Sequence, residues 1–237
     1  MPFAVLPAVI ADIEAVYDVQ FAAFKDEPII DFLYPGGVDR KVHKEGTIQF
    51  WNFDPVGHHI KCVDTETGKI VGMASWDIFW RPGEEHGFQR PEGIPWLTGE
   101  DKRRCEAILM PMWDMRVRLF GKRHYIYLSS IAVDPAWQRR GIGRRLMQWG
   151  CDVADQLQIP IYTEASQTGF SLYENVGFQR LTHVSLVHKA EVIGKEKDDE
   201  IPLVVRMPRA AGGIGFKQWA DAGFPADFKL QGLDGSA

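Results

Sequence analysis

The sequence predicts an α+β fold, and three observations carry that reading. Apolar residues recur at helical spacing in some stretches and alternate at strand spacing in others, with glycine, proline and aspartate between them. The run from Tyr125 to Val133 is a strand, stopped by Asp134-Pro135 and followed by a glycine turn and an amphipathic helix. Ahead of it stands a hairpin, His58–Val63 and Ile70–Phe79, turned by Asp64-Thr65-Glu66-Thr67-Gly68.

The other elements follow from local signals. Phe3–Leu6 is a short strand, and Pro7 suits the first turn of a helix. Ile13, Val16, Tyr17, Phe21 and Phe24 give that helix one apolar face, and Pro28 ends it. Asp39 caps a second helix that runs to about Trp51 and stops before Pro55. Between Arg81 and Gly99 lie three prolines and four glycines, a long irregular loop. Its aromatic residues Trp80, Phe88 and Trp96 argue against disorder. Glu100 to Phe120 is helical, kinked or split at Pro111.

After Gly141 a helix places Ile142, Leu146, Trp149, Val153 and Leu157 on one face. Ile159–Glu164 is a strand, and Phe170–Asn175 is a short helix ended by Gly177. Phe178–His188 and Ile201–Met207 read as two strands joined by the charged loop Lys189–Glu200. Residues 1–207 are expected to form a single domain, with 81–120 an inserted loop and helix. The tail 208–237 has the aromatic anchors to dock on it: Phe216, Trp219, Phe224 and Phe228.

Composition sets the outer bounds. The chain has 237 residues, 45% hydrophobic and 25% charged, the profile of a globular protein with room for a core. A formal net charge of −5 argues against a surface built to coat nucleic acid or anionic lipid, so an anion site must come from local geometry. Cys62, Cys105 and Cys151 are far apart and odd in number, which suggests neither a disulfide framework nor a zinc site. No metal is expected. The first basic residue is Lys25, and Pro2 and Pro7 interrupt the opening apolar run, unlike a secretory leader. No apolar run approaches the roughly 18 residues of a membrane span. The expected compartment is cytoplasmic, with the nucleus as the second choice.

The chemistry concentrates at Gln138-Arg139-Arg140-Gly141-Ile142-Gly143, between the strand and the amphipathic helix. A helix start leaves backbone N–H groups without intrahelical partners and carries partial positive charge. Glycines let a phosphate approach that backbone, and Arg139, Arg140, Arg144 and Arg145 add charge. A phosphate or pyrophosphate is expected there. A Walker A loop would need Lys-Ser or Lys-Thr after its glycine, and neither is present. A dinucleotide fingerprint would need a third glycine where Leu146 stands. A basic nucleic-acid patch would leave the two glycines unexplained.

The run from Tyr125 to Phe178 resembles the GNAT superfamily of N-acetyltransferases. Three blocks carry the likeness: Ile131-Ala132-Val133-Asp134-Pro135, Gln138–Gly143, and Leu172-Tyr173-Glu174-Asn175-Val176-Gly177-Phe178. Their order and spacing match the superfamily's fourth strand, its Q/R-x-x-G-x-G/A signature and its LYxxxGF end. The resemblance implies a three-layer fold, a central mixed and mostly antiparallel sheet flanked by helices, with the fourth and fifth strands splayed. It implies acetyl-CoA as cofactor, its pyrophosphate on the backbone amides of Gln138, Arg139, Arg140, Gly141, Ile142, Gly143 and Arg144. The pantetheine arm would pair with the backbone of Ile131, Ala132 and Val133.

The resemblance also assigns chemistry. An amine attacks the thioester, which needs a base for the ammonium and a proton for the departing thiolate. Tyr173 matches the family's tyrosine that supplies the latter, a phenol with an ordinary pKa of about 10. For the base the candidates are Glu164, Asp77 and His124, with Glu164 first because its strand borders the site. By alternation, Tyr127, Ser129 and Ile131 share one face of the strand. Some arylalkylamine acetyltransferases carry histidines where Tyr127 and Ser129 fall. The loop from Trp80 to Gly99 lies where relatives build the acceptor pocket, which makes Trp80, Trp96, Tyr127 and Ser129 candidate acceptor-binding residues. Ser166 and Gly169 depart from the family's asparagine and alanine, and Thr168-Gly169 suggests a hinge.

The implied function is acetyl transfer from acetyl-CoA to the primary amine of a small molecule, by a monomer or homodimer. Acetylation of a protein lysine or N-terminus, or silent acyl-CoA binding, are the alternatives.

Overall fold

The computed structural model describes residues 2–25, 27–166 and 169–229. In chain order the elements are β1 (Phe3–Pro7), α1 (Ile13–Ala23), α2 (Ile29–Leu33), α3 (Arg40–Phe53), β2 (Gly57–Asp64), β3 (Ile70–Phe79), α4 (Gly99–Phe120), β4 (Tyr125–Val133), α5 (Ile142–Leu157) and β5 (Ile161–Glu164). Then come α6 (Phe170–Glu174), β6 (Gln179–Arg180), β7 (Leu186–His188), α7 (Ala190–Ile193), β8 (Asp199–Ile201), β9 (Leu203–Arg206) and α8 (Phe216–Asp221). Asp39 does cap α3, its carboxylate accepting from the amides of Lys41 and Val42 at 3.0 and 3.1 Å.

Seven strands form one sheet in the order β1-β2-β3-β4-β5-β9-β6. Its neighbours are antiparallel except β4 and β5, which run parallel. Helices cover both faces, so the layers are helix, sheet, helix. On one face α5 buries Ile142, Leu146, Met147, Cys151 and Ala154 against Trp76, Ile126 and Leu128. On the other, α1 lays Val16 and Val19 on Met73 and Ala132, while α4 lays Met115, Leu119 and Phe120 near Phe79 and Tyr125.

Four local expectations are corrected. The buried stripe of α5 is rotated from the expected one: Trp149 and Val153 sit at its edge and Leu157 is exposed. Pro111 neither splits nor ends α4, because buried residues on both sides of it, Cys105 and Ile108 before, Met115 and Leu119 after, hold one helix together. Phe178–His188 is not one strand. Leu181 and Leu186 both enter the same core, and residues five apart cannot do so on one strand of period two. The chain therefore leaves the sheet after β6, and β7 pairs with β8 in a separate hairpin. The charged stretch between them contains the short helix α7 rather than loop alone.

The tail docks as far as it is described. Phe216, Trp219 and Phe228 are buried with Phe120, Tyr125 and Tyr162, and Phe224 packs beside them. Asp155 on α5 anchors the junction. It accepts from both Nη atoms of Arg206 at 3.0 and 2.8 Å and from the amide of Arg209 at 2.8 Å. Because this carboxylate and Arg206 are largely shielded from water, Asp155→Ala is expected to cost about 3 kcal/mol in denaturant unfolding. A loss below about 0.5 kcal/mol would place the pair in the weak class of surface bridges.

Candidate active site

The site begins where β4 and β5 part. They pair only at Ile126↔Ile161 and Tyr127↔Tyr162, although β4 continues to Val133. The cause is visible on the other edge of β4. Ser75 pairs with Ser130 and Trp76 with Leu128, so Ser129 is the extra residue of a bulge. A bulge bends its strand and increases its twist. At the fork, Thr163 Oγ1 donates to the Leu128 carbonyl at 2.9 Å. Beyond it, the β5-facing backbone edge of Ser129–Val133 has no strand beside it among the described residues, an open ladder on which an extended chain can pair.

The bulge also overturns the simple alternation. Ile131 does not share a face with Tyr127; it packs with Ile126 and Leu128 against the α5 layer, while Tyr127 lies with the α4 layer. Ala132 turns to the α1 side. Ser129 is exposed, its hydroxyl donating to the Ser75 carbonyl at 3.0 Å.

At the far end of the open edge stands the glycine turn. Gly141, at φ 81°, is left-handed and caps α5, and the intrahelical ladder starts with Arg145 N donating to Gly141 O at 3.2 Å. The amides of Ile142, Gly143 and Arg144 thus have no intrahelical acceptor. Arg139 is also left-handed, at φ 63°, a conformation that costs a non-glycine residue roughly 1–2 kcal/mol. Gly143 is tight for a different reason: a Cβ there would lie 3.2 Å from Leu172 of α6. Gln138 reaches back to the Val133 carbonyl at 3.3 Å. Arg139, Arg140, Arg144 and Arg145 are exposed, and among the described residues none of them makes a salt bridge; Arg140 rests on Trp137 at 4.7 Å. Unclaimed amides, two left-handed residues and four unpaired guanidinium groups fit a pyrophosphate.

At the closed end of the fork lies a polar cluster largely shielded from water. Glu164 accepts from the hydroxyls of Tyr127 at 2.9 Å and Tyr162 at 2.8 Å. Burial raises its pKa above the ordinary carboxylate value, with Tyr162, Arg116 and Tyr127 opposing. Asp77, paired across from Tyr127, is pushed up to about 6 by burial, against the pull of Arg116. Burial likewise raises Tyr127 well above the ordinary phenol value. Tyr173, on α6, is 6% exposed, and burial lifts its hydroxyl to about 12, with the charge of Glu164 adding to the effect. It is protonated at neutral pH.

Arg116 is the member of this cluster that the sequence reading missed. It comes from α4, is 4% exposed, and its Nε donates to Tyr125 Oη at 3.0 Å. The rings of Phe88 and Tyr127 lie on it at 3.7 Å each, contacts worth roughly 0.5–2 kcal/mol apiece. A signal was present: Arg116 falls within the apolar stripe of Ile108, Met112, Met115 and Leu119. Outside this cluster, His59 of β2 is stacked on Trp51 with ring centroids 4.1 Å apart and bonded through Nδ1 to Ser75 Oγ at 2.9 Å. Burial lowers it to about 4, so it is neutral near pH 7.

Other expected residues stand apart. Of the loop aromatics only Phe88 joins the cluster. Trp80 and Trp96 are 47% and 56% exposed, and among the described residues neither makes a ring contact with Tyr127. Trp96 Nε1 instead reaches the Leu33 carbonyl at the end of α2, at 3.4 Å. His124 is exposed beyond the closed end of the strands, bonded to the Arg81 carbonyl at 3.1 Å, which removes it from the fork. Ser166 Oγ accepts from the amide of Gly169 at 3.1 Å, holding the turn before α6. The expected hinge at Thr168 lies outside the described residues, and Gly169 itself has an ordinary φ of −83°.

A parted parallel strand pair with an anion cradle at its open end defines an acyl-CoA-using transferase. A family model described as the acetyltransferase (GNAT) family matches residues 21–178, and the chain belongs to that family. A probable acyltransferase of Ajellomyces capsulatus, SID5, is 35% identical over 145 residues, 61% of this chain and 99% of that protein. Among solved structures, agmatine N-acetyltransferase shares the fold with a TM-score of 0.63 at 16% identity, covering 87% of this chain and 100% of its own. A phosphinothricin acetyltransferase of Sinorhizobium meliloti, solved with acetyl-CoA, gives 0.54 at 11% identity, covering 88% and 89%. Acetyl-CoA is the cofactor of this family. Among the described residues no helix is long and apolar enough to cross a membrane.

Gly141→Glu or Gly143→Glu puts a carboxylate into the cradle, and at Gly143 also forces a side chain against Leu172. Acetyl-CoA affinity, measured calorimetrically, is expected to fall by at least about 100-fold, the equivalent of about 2.7 kcal/mol. Binding within about threefold of wild type would remove the turn from the cofactor site.

Proposed function

We propose that this protein transfers an acetyl group from acetyl-CoA to the primary amine of a small molecule, with Glu164 as base and Tyr173 as acid. The observation that carries this reading is the half-buried carboxylate of Glu164, held by two tyrosine hydroxyls at the fork where the sheet opens. Two carboxylates, Glu164 and Asp77, share one guanidinium in this cluster, so their ionised state leaves an excess negative charge. That balance favours an acceptor arriving as an ammonium over an anionic one. Agmatine N-acetyltransferase, whose fold the chain shares, acts on such an amine.

When bound, acetyl-CoA supplies the thioester carbonyl at which the C–N bond forms as the C–S bond breaks. Backbone amides of Gln138–Arg144 would hold its pyrophosphate, and the open edge of Ile131–Val133 its pantetheine. Glu164 takes one proton from the ammonium and frees the nitrogen lone pair. Tyr173 gives its proton to the departing sulfur, and the second nitrogen proton, lost as the amide forms, restores the tyrosine hydroxyl. With its hydroxyl at about 12, Tyr173 holds that proton firmly and passes it only as negative charge builds on sulfur.

The reading is tested by thiol release from acetyl-CoA with a panel of primary amines, set beside lysine-bearing and N-terminal peptides. Turnover on small amines supports it, and turnover on peptides alone replaces it with the protein-acetylating alternative. Tight acetyl-CoA binding with no turnover on either panel leaves a silent binding module. Tyr173→Phe is expected to bind acetyl-CoA as wild type does while kcat falls roughly 10²–10⁴-fold. Glu164→Gln should lose a similar factor and with it the acid limb of kcat/KM. In the wild type that limb falls as pH drops through the Glu164 pKa, and burial places it above the ordinary value of about 4.3.

A further inference from the structure

Arg116 has no packing reason to be charged. A guanidinium taken out of water loses its hydration, and well-packed apolar residues replace buried ions at little or no cost in stability. A methionine or leucine could fill the gap between Phe88 and Tyr127. Arg116 instead places a permanent cation there, and its Nη2, buried, finds no hydrogen-bond partner among the described residues. The nearest carboxylate oxygen is Asp77 Oδ2, at 3.8 Å, too far to bond but close enough to attract. Its Nε is committed to Tyr125 and both its faces to rings, so the group cannot turn away.

We propose that Arg116 is a positioning residue: clamped between Phe88 and Tyr127, it aims the Tyr127 hydroxyl at Glu164 and supplies the counter-charge for Glu164 and Asp77. The clamp works through Tyr127. One face of that ring carries the cation, and its hydroxyl donates to Glu164 Oε2 at 2.9 Å. Tyr162 supplies the donor for the other oxygen at 2.8 Å. The groups that face the cluster are Asp77 from β3, Tyr125 and Tyr127 from β4, Tyr162 and Glu164 from β5 and Arg116 from α4. The charge of Asp54 reaches Asp77, and that of Glu164 reaches Tyr173 of α6. Among the described residues that face the cluster, Arg116 is the single cation. Without it, burial favours protonation of the two acids, with the charge of Asp54 adding to the effect at Asp77, and a protonated Glu164 cannot take a proton from an ammonium. The long loop and α4 thus bring the base its counter-charge rather than contributing only a wall to the acceptor pocket.

The role of Glu164 as base rests on the proposed reaction, whereas the coupling of Arg116 to the two acids does not. The test is therefore a titration without acceptor: side-chain carboxyl carbons labelled with ¹³C, followed by NMR across pH, with Glu164→Gln and Asp77→Asn giving the assignments. In Arg116→Met the midpoints of Glu164 and Asp77 are expected to rise by about 1 pH unit or more. Arg116→Lys should bring both back toward wild type. Unchanged midpoints in a folded Arg116→Met, or a lysine variant that titrates like the methionine one, would overturn the proposal. Tyr127→Phe keeps the ring on the cation and removes the hydroxyl, so it decides the matter even where Arg116→Met does not fold. There the Glu164 midpoint should rise and that of Asp77 stay, and the reverse pattern refutes the clamp. Thiol release that survives in Glu164→Gln would end the base assignment while leaving the titration result intact.

Discussion

β4 runs beside β5 for two residues and then leaves it, and the rest of the site is arranged around that parting. The bulge at Ser129 bends the strand, and Thr163 caps the last carbonyl before the gap. What remains is a backbone edge with its hydrogen-bonding groups turned toward an opening. The glycine turn closes one end of that opening, and Glu164 with its tyrosines closes the other. Tyr173 is carried by α6, whose Leu172 presses against Gly143 of the turn. Had the strands stayed paired, the edge would be an ordinary sheet interior and neither end would have anything to bind.

The two ends differ in dielectric and in sign. At the turn the positive charge is exposed: four arginines in solvent and amides at a helix start. Exposed charge attracts a phosphate at range but is screened by salt. At the fork the charged groups are largely shielded from water, two carboxylates to one guanidinium. Buried groups are screened less, so small changes in partner or protonation matter more there. The proposed reaction, which would bring a polyanion to one end and an ammonium to the other, gains from keeping these fields apart. The length of β4 beyond the fork provides that separation.

Much of this was legible beforehand, and what was not has identifiable causes. The strand 125–133, the turn at Gly141 and Gly143, Tyr173 in its short helix and Glu164 at a strand end all fall where the residues placed them. Each depends on neighbours within a few positions. The face of Ile131 was misassigned because a bulge is a property of two strands, visible only once Ser75 and Trp76 are set against Ser130 and Leu128. Trp80 and Trp96 were grouped with the acceptor pocket for being aromatic and in a suitable loop. Proximity in that loop does not bring them to Tyr127, and Phe88 alone reaches the cluster.

Alone, the sequence determined most of the local elements, the glycine turn and the family, because capping, periodicity and the glycine spacing are short-range and survive without knowledge of the partner strands. The tertiary structure decided which residues meet. It broke Phe178–His188 into two pairings, docked the tail through Phe216, Trp219 and Phe228, and carried Arg116 from α4 onto Tyr127 and Asp77. Those outcomes depend on contacts between residues far apart in the chain, where the burial of one group sets the charge and orientation of another. Such energies are absent from any stretch of sequence read by itself.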